Sequence, residues 1–63
     1  MSYLEIPSML VKSMNDEALK QFHMRLKRTR KPRILFGFNG RMFYPTRRQA
    51  LDIVVNELGA RQS

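Results

Sequence analysis

Arginine and lysine residues are concentrated in one stretch of the chain, and their usual chemistry there would be the binding of phosphate groups. Between Ala18 and Leu51 the sequence holds ten basic residues and no acidic one. The segment from Arg25 to Arg33 carries six of these positive charges in nine positions. Stabilisation of a helix C-terminus by cations would account for about two or three of them. The excess favours a polyanion, with nucleic acid preferred over an acidic protein, an anionic membrane surface or a merely solvated face.

Three further arginines are candidates for contact with nucleic acid. Arg41 follows an Asn-Gly turn, and a two-stranded ribbon can enter the major groove of DNA. Arg47 and Arg48 fall in the first turn of a predicted helix, where the dipole disfavours cations and a bound phosphate would meet free N–H groups. The alternatives are a simple surface turn for Arg41 and an ion pair of Arg48 with Asp52. The predicted nucleic-acid-binding residues are therefore Arg25, Lys27, Arg28, Arg30, Lys31, Arg33, Arg41, Arg47 and Arg48.

No group of residues predicts catalysis, a cofactor or a metal ion. The sequence has no cysteine and one histidine, His23, which lies at the border of an apolar stripe and is expected to pack there. Cysteine-ligated zinc is therefore excluded, and a histidine-based triad is not expected. The five carboxylates fall on capping turns or solvent faces, and the three glycines form no phosphate-binding loop. We expect a protein that is not an enzyme.

The length and composition predict one small domain over residues 1–63. The chain has a net charge of +7 and 43% hydrophobic residues, which suits a folded domain with a lean core. No apolar run approaches the roughly 20 residues that span a bilayer, and no signal-peptide pattern opens the sequence. We therefore expect an intracellular protein, cytoplasmic or nucleoid-associated, without membrane insertion.

Two N-terminal helices are predicted from capping residues and apolar spacing. The first covers about residues 7–13 and begins at Ile6-Pro7, since proline is tolerated in a first helical turn. The second covers about residues 16–30, with either Ser13 or Asn15 as its cap. It should end before Pro32, which disfavours helical geometry in the preceding residue. Its apolar stripe consists of Ala18, Leu19, Phe22 and Leu26.

A β-hairpin over about residues 33–44 and a helix over about 46–58 complete the chain. Asn39-Gly40 predicts a type I′ turn, which pairs Phe38 with Arg41 and Phe36 with Phe43. Thr46 and Gln49 match a capping box, and Gly59 is a typical residue at a helix C-terminus. The predicted fold class is α+β, in the order helix-helix-strand-strand-helix.

The second face of this hairpin carries Leu35, Met42 and Tyr44. These side chains could stack on bases, form the seam of a homodimer or be covered by the N-terminal helix. Because so small a domain has little apolar surface to leave exposed, we expect the N-terminal helix to cover them.

The order of elements resembles two known architectures. Helices followed by a hairpin resemble miniature winged-helix proteins, and the hairpin followed by YPTRRQAL (residues 44–51) resembles the sheet-plus-helix arm-binding domains of phage integrases. Each likeness is architectural and covers less than half of the chain. The third strand of the integrase module is not predicted here, so no functional residue is carried over. The resemblance implies a small phage or plasmid accessory protein.

These observations predict a small basic accessory protein that binds nucleic acid mainly through phosphates, with DNA favoured over RNA. The first alternative is a small protein-interaction module or inhibitor that docks on an acidic surface of a larger complex. Such a protein could be encoded by a phage. The second alternative is a ribosome-associated protein.

Overall fold

A computed structural model describes residues 4–62, which form three α-helices and a two-stranded antiparallel hairpin. The elements in chain order are α1 (Glu5–Lys12), α2 (Asp16–Arg28), β1 (Phe36–Phe38), β2 (Arg41–Phe43) and α3 (Arg47–Gln62). The predicted α+β order is confirmed, and the Cα radius of gyration of 11.2 Å describes a compact domain. None of the helices in residues 4–62 is long and apolar enough to cross a membrane.

The capping residues separate α1 from α2. Asn15 is the N-cap of α2, because its side-chain oxygen accepts a hydrogen bond of 2.7 Å from the backbone N–H of Ala18. Ser13, the other candidate, instead donates its hydroxyl to the carbonyl of Leu10. α2 ends at Arg28, two residues before the predicted end, because Thr29 adopts an extended backbone with ψ of 145°. α1 begins at Glu5 and ends at Lys12, slightly earlier than predicted.

The hairpin has the predicted turn and register. Asn39 and Gly40 both have positive φ, at 53° and 79°, as a type I′ turn requires. Phe36 pairs with Phe43 and Phe38 with Arg41. The regular strands are shorter than the predicted hairpin, but pairing resumes in the same register at an isolated bridge between residues 33 and 46. The base of the hairpin therefore lies directly beside the start of α3.

α3 begins at the predicted capping box and continues further than predicted. The backbone N–H of Gln49 donates to the Thr46 hydroxyl at 3.1 Å, and the N–H of Thr46 donates to the Gln49 side chain at 2.9 Å. The prediction that the helix stops before Gly59 is wrong, since α3 runs to Gln62. The last turn is held by side-chain contacts of Arg61, and these outweigh the weak helix propensity of a single glycine.

Arg61 ties the end of α3 to the junction between α1 and α2. Its guanidinium forms an ion pair with Glu57 at 2.8 Å and a second one with Asp16 at 2.9 Å. It also donates to the backbone carbonyls of Lys12 at 3.1 Å and Met14 at 2.6 Å. The hydrogen bonds to Glu57 and then Asp16 raise the pKa of Arg61 above its ordinary value. The guanidinium therefore stays charged over the whole pH range in which proteins are studied.

The core lies where α3 packs against both α1 and α2. The ring of Phe22 on α2 meets the ring of Phe36 on β1 edge to face, with centroids 5.7 Å apart. Because Phe36 is buried and large, this contact anchors the hairpin to the helices. The buried apolar residues are Val11, Leu19, Leu26, Phe36, Ala50 and Val54.

The second face of the hairpin is not covered as predicted. Leu35, Met42 and Tyr44 remain 57%, 65% and 46% exposed. The prediction that the N-terminal helix covers them is wrong, because α1 packs its buried side on α3 instead. An exposed apolar edge therefore remains beside the basic residues that follow α2.

Candidate nucleic-acid interface

Six exposed cations lie at the end of α2 and in the loop that follows it, and we call them the basic tract. Arg25, Lys27 and Arg28 belong to the last turn of α2. The other three members lie in the segment that leads to the hairpin. Within residues 4–62, the ion pairs of 4.0 Å or less are those of Arg61 with Asp16 and Glu57. No carboxylate there pairs with a member of the tract. The full tract is Arg25, Lys27, Arg28, Arg30, Lys31 and Arg33.

The loop after α2 turns the chain back toward the helix that it has just left. The extended backbone at Thr29 ends the helix, and the Thr29 hydroxyl accepts a hydrogen bond of 3.3 Å from the backbone N–H of Lys31. Pro32 then accepts from the N–H of Arg47, and Ile34 donates to the carbonyl of Pro45. The last two hydrogen bonds fix the end of the loop beside the start of α3.

The turn of the loop creates an open groove of about 500 Å³ between α2 and the base of the hairpin, which we call the basic groove. Three members of the basic tract line it, and no acidic residue does. Apolar side chains from the helix and the hairpin supply the remainder of its walls. The lining residues are Phe22, Arg25, Leu26, Thr29, Lys31, Arg33, Ile34, Leu35 and Tyr44.

Arg33 is held in place at the edge of the basic groove. One terminal nitrogen of its guanidinium donates to the carbonyl of Tyr44 at 2.8 Å. Within residues 4–62 its other N–H groups have no partner, so they can meet a ligand without breaking a contact. A planar guanidinium positioned in this way suits a phosphate, which can accept two parallel hydrogen bonds from it.

Arg47 has a structural role that the sequence did not suggest. Its Nε donates to the carbonyl of Leu26 at 2.8 Å, and its Nη2 donates to the carbonyl of Lys27 at 3.3 Å. The guanidinium thus caps the C-terminus of α2, where helical carbonyls lack an N–H partner. The donor and its acceptor are 21 positions apart, so no local sequence pattern could have revealed the contact.

The N-terminus of α3 has few free donors left for a phosphate. The backbone N–H of Arg47 binds the carbonyl of Pro32, and that of Gln49 binds Thr46. Arg48 is exposed, and the alternative of an ion pair with Asp52 is not formed: within residues 4–62 the ion pairs are those of Arg61 with Asp16 and Glu57. A phosphate site at this helix end stays a prediction, and the geometry favours the basic groove over it.

Arg41 lies on the hairpin, away from the basic groove. It is the first residue of β2, is exposed, and pairs with Phe38 directly beside the turn. It does not line the groove. The structure therefore brings Arg25, Lys31 and Arg33 together, places Lys27, Arg28 and Arg30 next to them in sequence, and leaves Arg41, Arg47 and Arg48 elsewhere.

No protein-family model, curated protein or solved structure matches the chain. Within residues 4–62, no three histidine or carboxylate side chains lie together as a metal site would require. His23 is half-buried on α2, as its position at the border of the apolar stripe predicted.

Proposed function

We propose that this protein binds nucleic acid through the basic tract and the basic groove, mainly by contacts with phosphates. The observation that carries the proposal is the meeting of Arg25, Lys31 and Arg33 in one groove that no acidic residue lines. Lysine and arginine side chains that neutralise phosphates release condensed counterions, and this release supplies most of the affinity in non-specific binding.

The electrostatic repulsion among these positive charges favours binding of an anionic ligand. Six cations within nine positions repel one another, and within residues 4–62 no carboxylate relieves the repulsion. A polyanion laid along the tract would relieve it and gain several charge-assisted hydrogen bonds. A role as an accessory protein acting on nucleic acid inside the cell, as phage and plasmid proteins do, belongs to this proposal by architectural analogy alone.

A pair of matched double variants tests the location of the binding surface. Arg30→Glu with Lys31→Glu changes the basic tract, whereas Lys12→Glu with Lys20→Glu makes the same change in net charge outside it. All four side chains are exposed. Labelled duplex DNA and single-stranded RNA are titrated at several salt concentrations. On duplex DNA the slope of log affinity against log salt should fall by about 2 in magnitude for the tract variant, because each phosphate contact contributes roughly 0.9 to that slope.

The control variant should keep the slope of the parent protein and lose only a little affinity from its lower net charge. Equal effects of the two variants would show that the charges act without a defined surface. Absence of salt-dependent binding by the parent protein to either nucleic acid would refute the proposal. Tighter binding to polyglutamate than to nucleic acid of the same charge would also refute it, and would favour an acidic protein partner.

A further inference from the structure

The basic groove combines two kinds of surface that a phosphate alone would not need. One part is cationic, with Arg25, Lys31 and Arg33. The other part is apolar, and its outer edge includes Leu35, which is 57% exposed. A ligand that satisfied both parts would be an anion that carries a flat, weakly polar group.

The size and shape of the groove fit one nucleotide unit. Its volume of about 500 Å³ lies within the range of ordinary small-ligand sites, which is roughly 300–1,000 Å³. It is concave, whereas the base edges of a duplex are reached by a protruding helix or ribbon. A base in a duplex is stacked between its neighbours and cannot enter a recess. A base in a single strand can be turned out of its stack at small cost.

We propose that the basic groove binds an unstacked base of single-stranded nucleic acid, with the flanking phosphates held by Arg25, Lys31 and Arg33. The base packs against the apolar wall that Ile34 and Leu35 form with the helix. This inference rests on the proposed nucleic-acid binding and adds a preference for single strands. It applies to DNA and RNA alike, because both offer the flat face of a base with a phosphate on either side of it.

The decisive probe is an oligonucleotide without bases. A short single-stranded DNA and a fully abasic DNA of the same length carry equal charge, so a difference in affinity reports the contribution of the bases. We expect the abasic strand to bind at least about 5-fold more weakly, the low end of what a stacked base contributes to binding. The salt slopes of the two strands should agree, since the number of phosphate contacts is the same. A single-stranded RNA of the same sequence should behave as the DNA does.

A variant in the apolar wall assigns the effect to the groove. Leu35→Ala should bring the affinity for the normal strand down to that of the abasic strand, and should leave duplex binding unchanged. Met24→Ala is the matched control, because Met24 is 53% exposed on α2 and does not line the groove. It should preserve the difference between the two strands.

The outcomes separate this inference from the proposed function. If the parent protein binds normal, abasic and duplex DNA equally well, the groove holds no base, and phosphate binding alone survives. If Leu35→Ala keeps the full difference between normal and abasic strands, a base is bound somewhere else and the inference is wrong. If the parent protein binds none of the three, the proposed function itself has failed.

Discussion

Replacing Arg47 with glutamine tests whether this arginine stabilises the fold or is free to bind a ligand. The substitution removes a guanidinium whose Nε lies 2.8 Å from the carbonyl oxygen of Leu26. The backbone N–H of Thr29 already binds the carbonyl of Arg25, so the Leu26 carbonyl is the next one in α2 that the helix itself does not satisfy. Arg47→Gln therefore exposes the C-terminus of α2 and loosens its contact with the start of α3.

The expected loss follows from two opposing effects. A hydrogen bond from a charged donor contributes about 1.5–3 kcal/mol, and the longer contact with the Lys27 carbonyl at 3.3 Å adds little. Removing a cation from the first turn of α3 returns about 0.3–1 kcal/mol, because the helix dipole disfavours positive charge there. The net destabilisation is about 1–2 kcal/mol. In a domain of this size it should lower Tm by about 5–15 °C, at roughly 4–8 °C per kcal/mol.

Arg48→Gln is the matched control, since it removes the same charge from the same helical turn without breaking a hydrogen bond within residues 4–62. Its Tm should equal or slightly exceed that of the parent protein. Thermal unfolding of both variants, followed by far-UV circular dichroism at low salt, decides between the two roles. If Arg47→Gln melts at or above the parent temperature, or if both variants lose the same stability, the capping role of Arg47 is refuted.

Two further predictions concern the core and α3. Phe36→Ala should lower the free energy of unfolding by about 3–5 kcal/mol, because Phe36 is buried and packs the hairpin against Phe22. If urea denaturation gave a free energy of unfolding within a few tenths of a kcal/mol of the parent value, this contact would not anchor the hairpin. Gly59→Ala should stabilise the protein by roughly 0.5–1 kcal/mol, since Gly59 lies inside α3 and a Cβ there would meet no atom within 4 Å. A lower free energy of unfolding for this variant would contradict the position of the residue within the helix.

Features set by neighbouring residues could be predicted from the sequence. The Asn39-Gly40 turn is specified by the two residues that tolerate positive φ, and a two-residue loop then determines the register of the strands. The capping box of Thr46 and Gln49 and the cap at Asn15 depend on contacts three positions apart. Such signals are short enough to be recognised before the tertiary structure is known.

Features set by distant residues could not be predicted. Gly59 suggested a helix end, but the Arg61 contacts with Asp16 and with the carbonyl of Met14 decide where α3 stops. The exposure of Leu35 depends on which element α1 packs against, and the apolar spacing of α1 does not choose between α3 and the hairpin.

The candidate site was only half visible in the sequence. The basic tract is contiguous, so its charge could be counted directly. The basic groove depends on the turn after Thr29 and on where Phe36 anchors the hairpin, which bring Arg25 and Arg33 to one recess together with Leu35. The position of Arg47 in the first turn of α3 predicts a phosphate contact, whereas its acceptor on α2, the carbonyl of Leu26, lies 21 positions away and leaves no local pattern.

The position of α3 has a consequence for how this chain folds. The contact between Arg61 and Asp16 joins residues 45 positions apart, and α3 packs against both earlier helices. Helices of 8 and 13 residues, such as α1 and α2, are marginal in isolation, since nucleation is unfavourable and stability comes from packing. The two helices therefore gain their partner only when a long loop closes, at an entropic cost that must precede the contacts. Folding is expected to be one concerted event templated by α3, without a populated intermediate built from α1 and α2 alone.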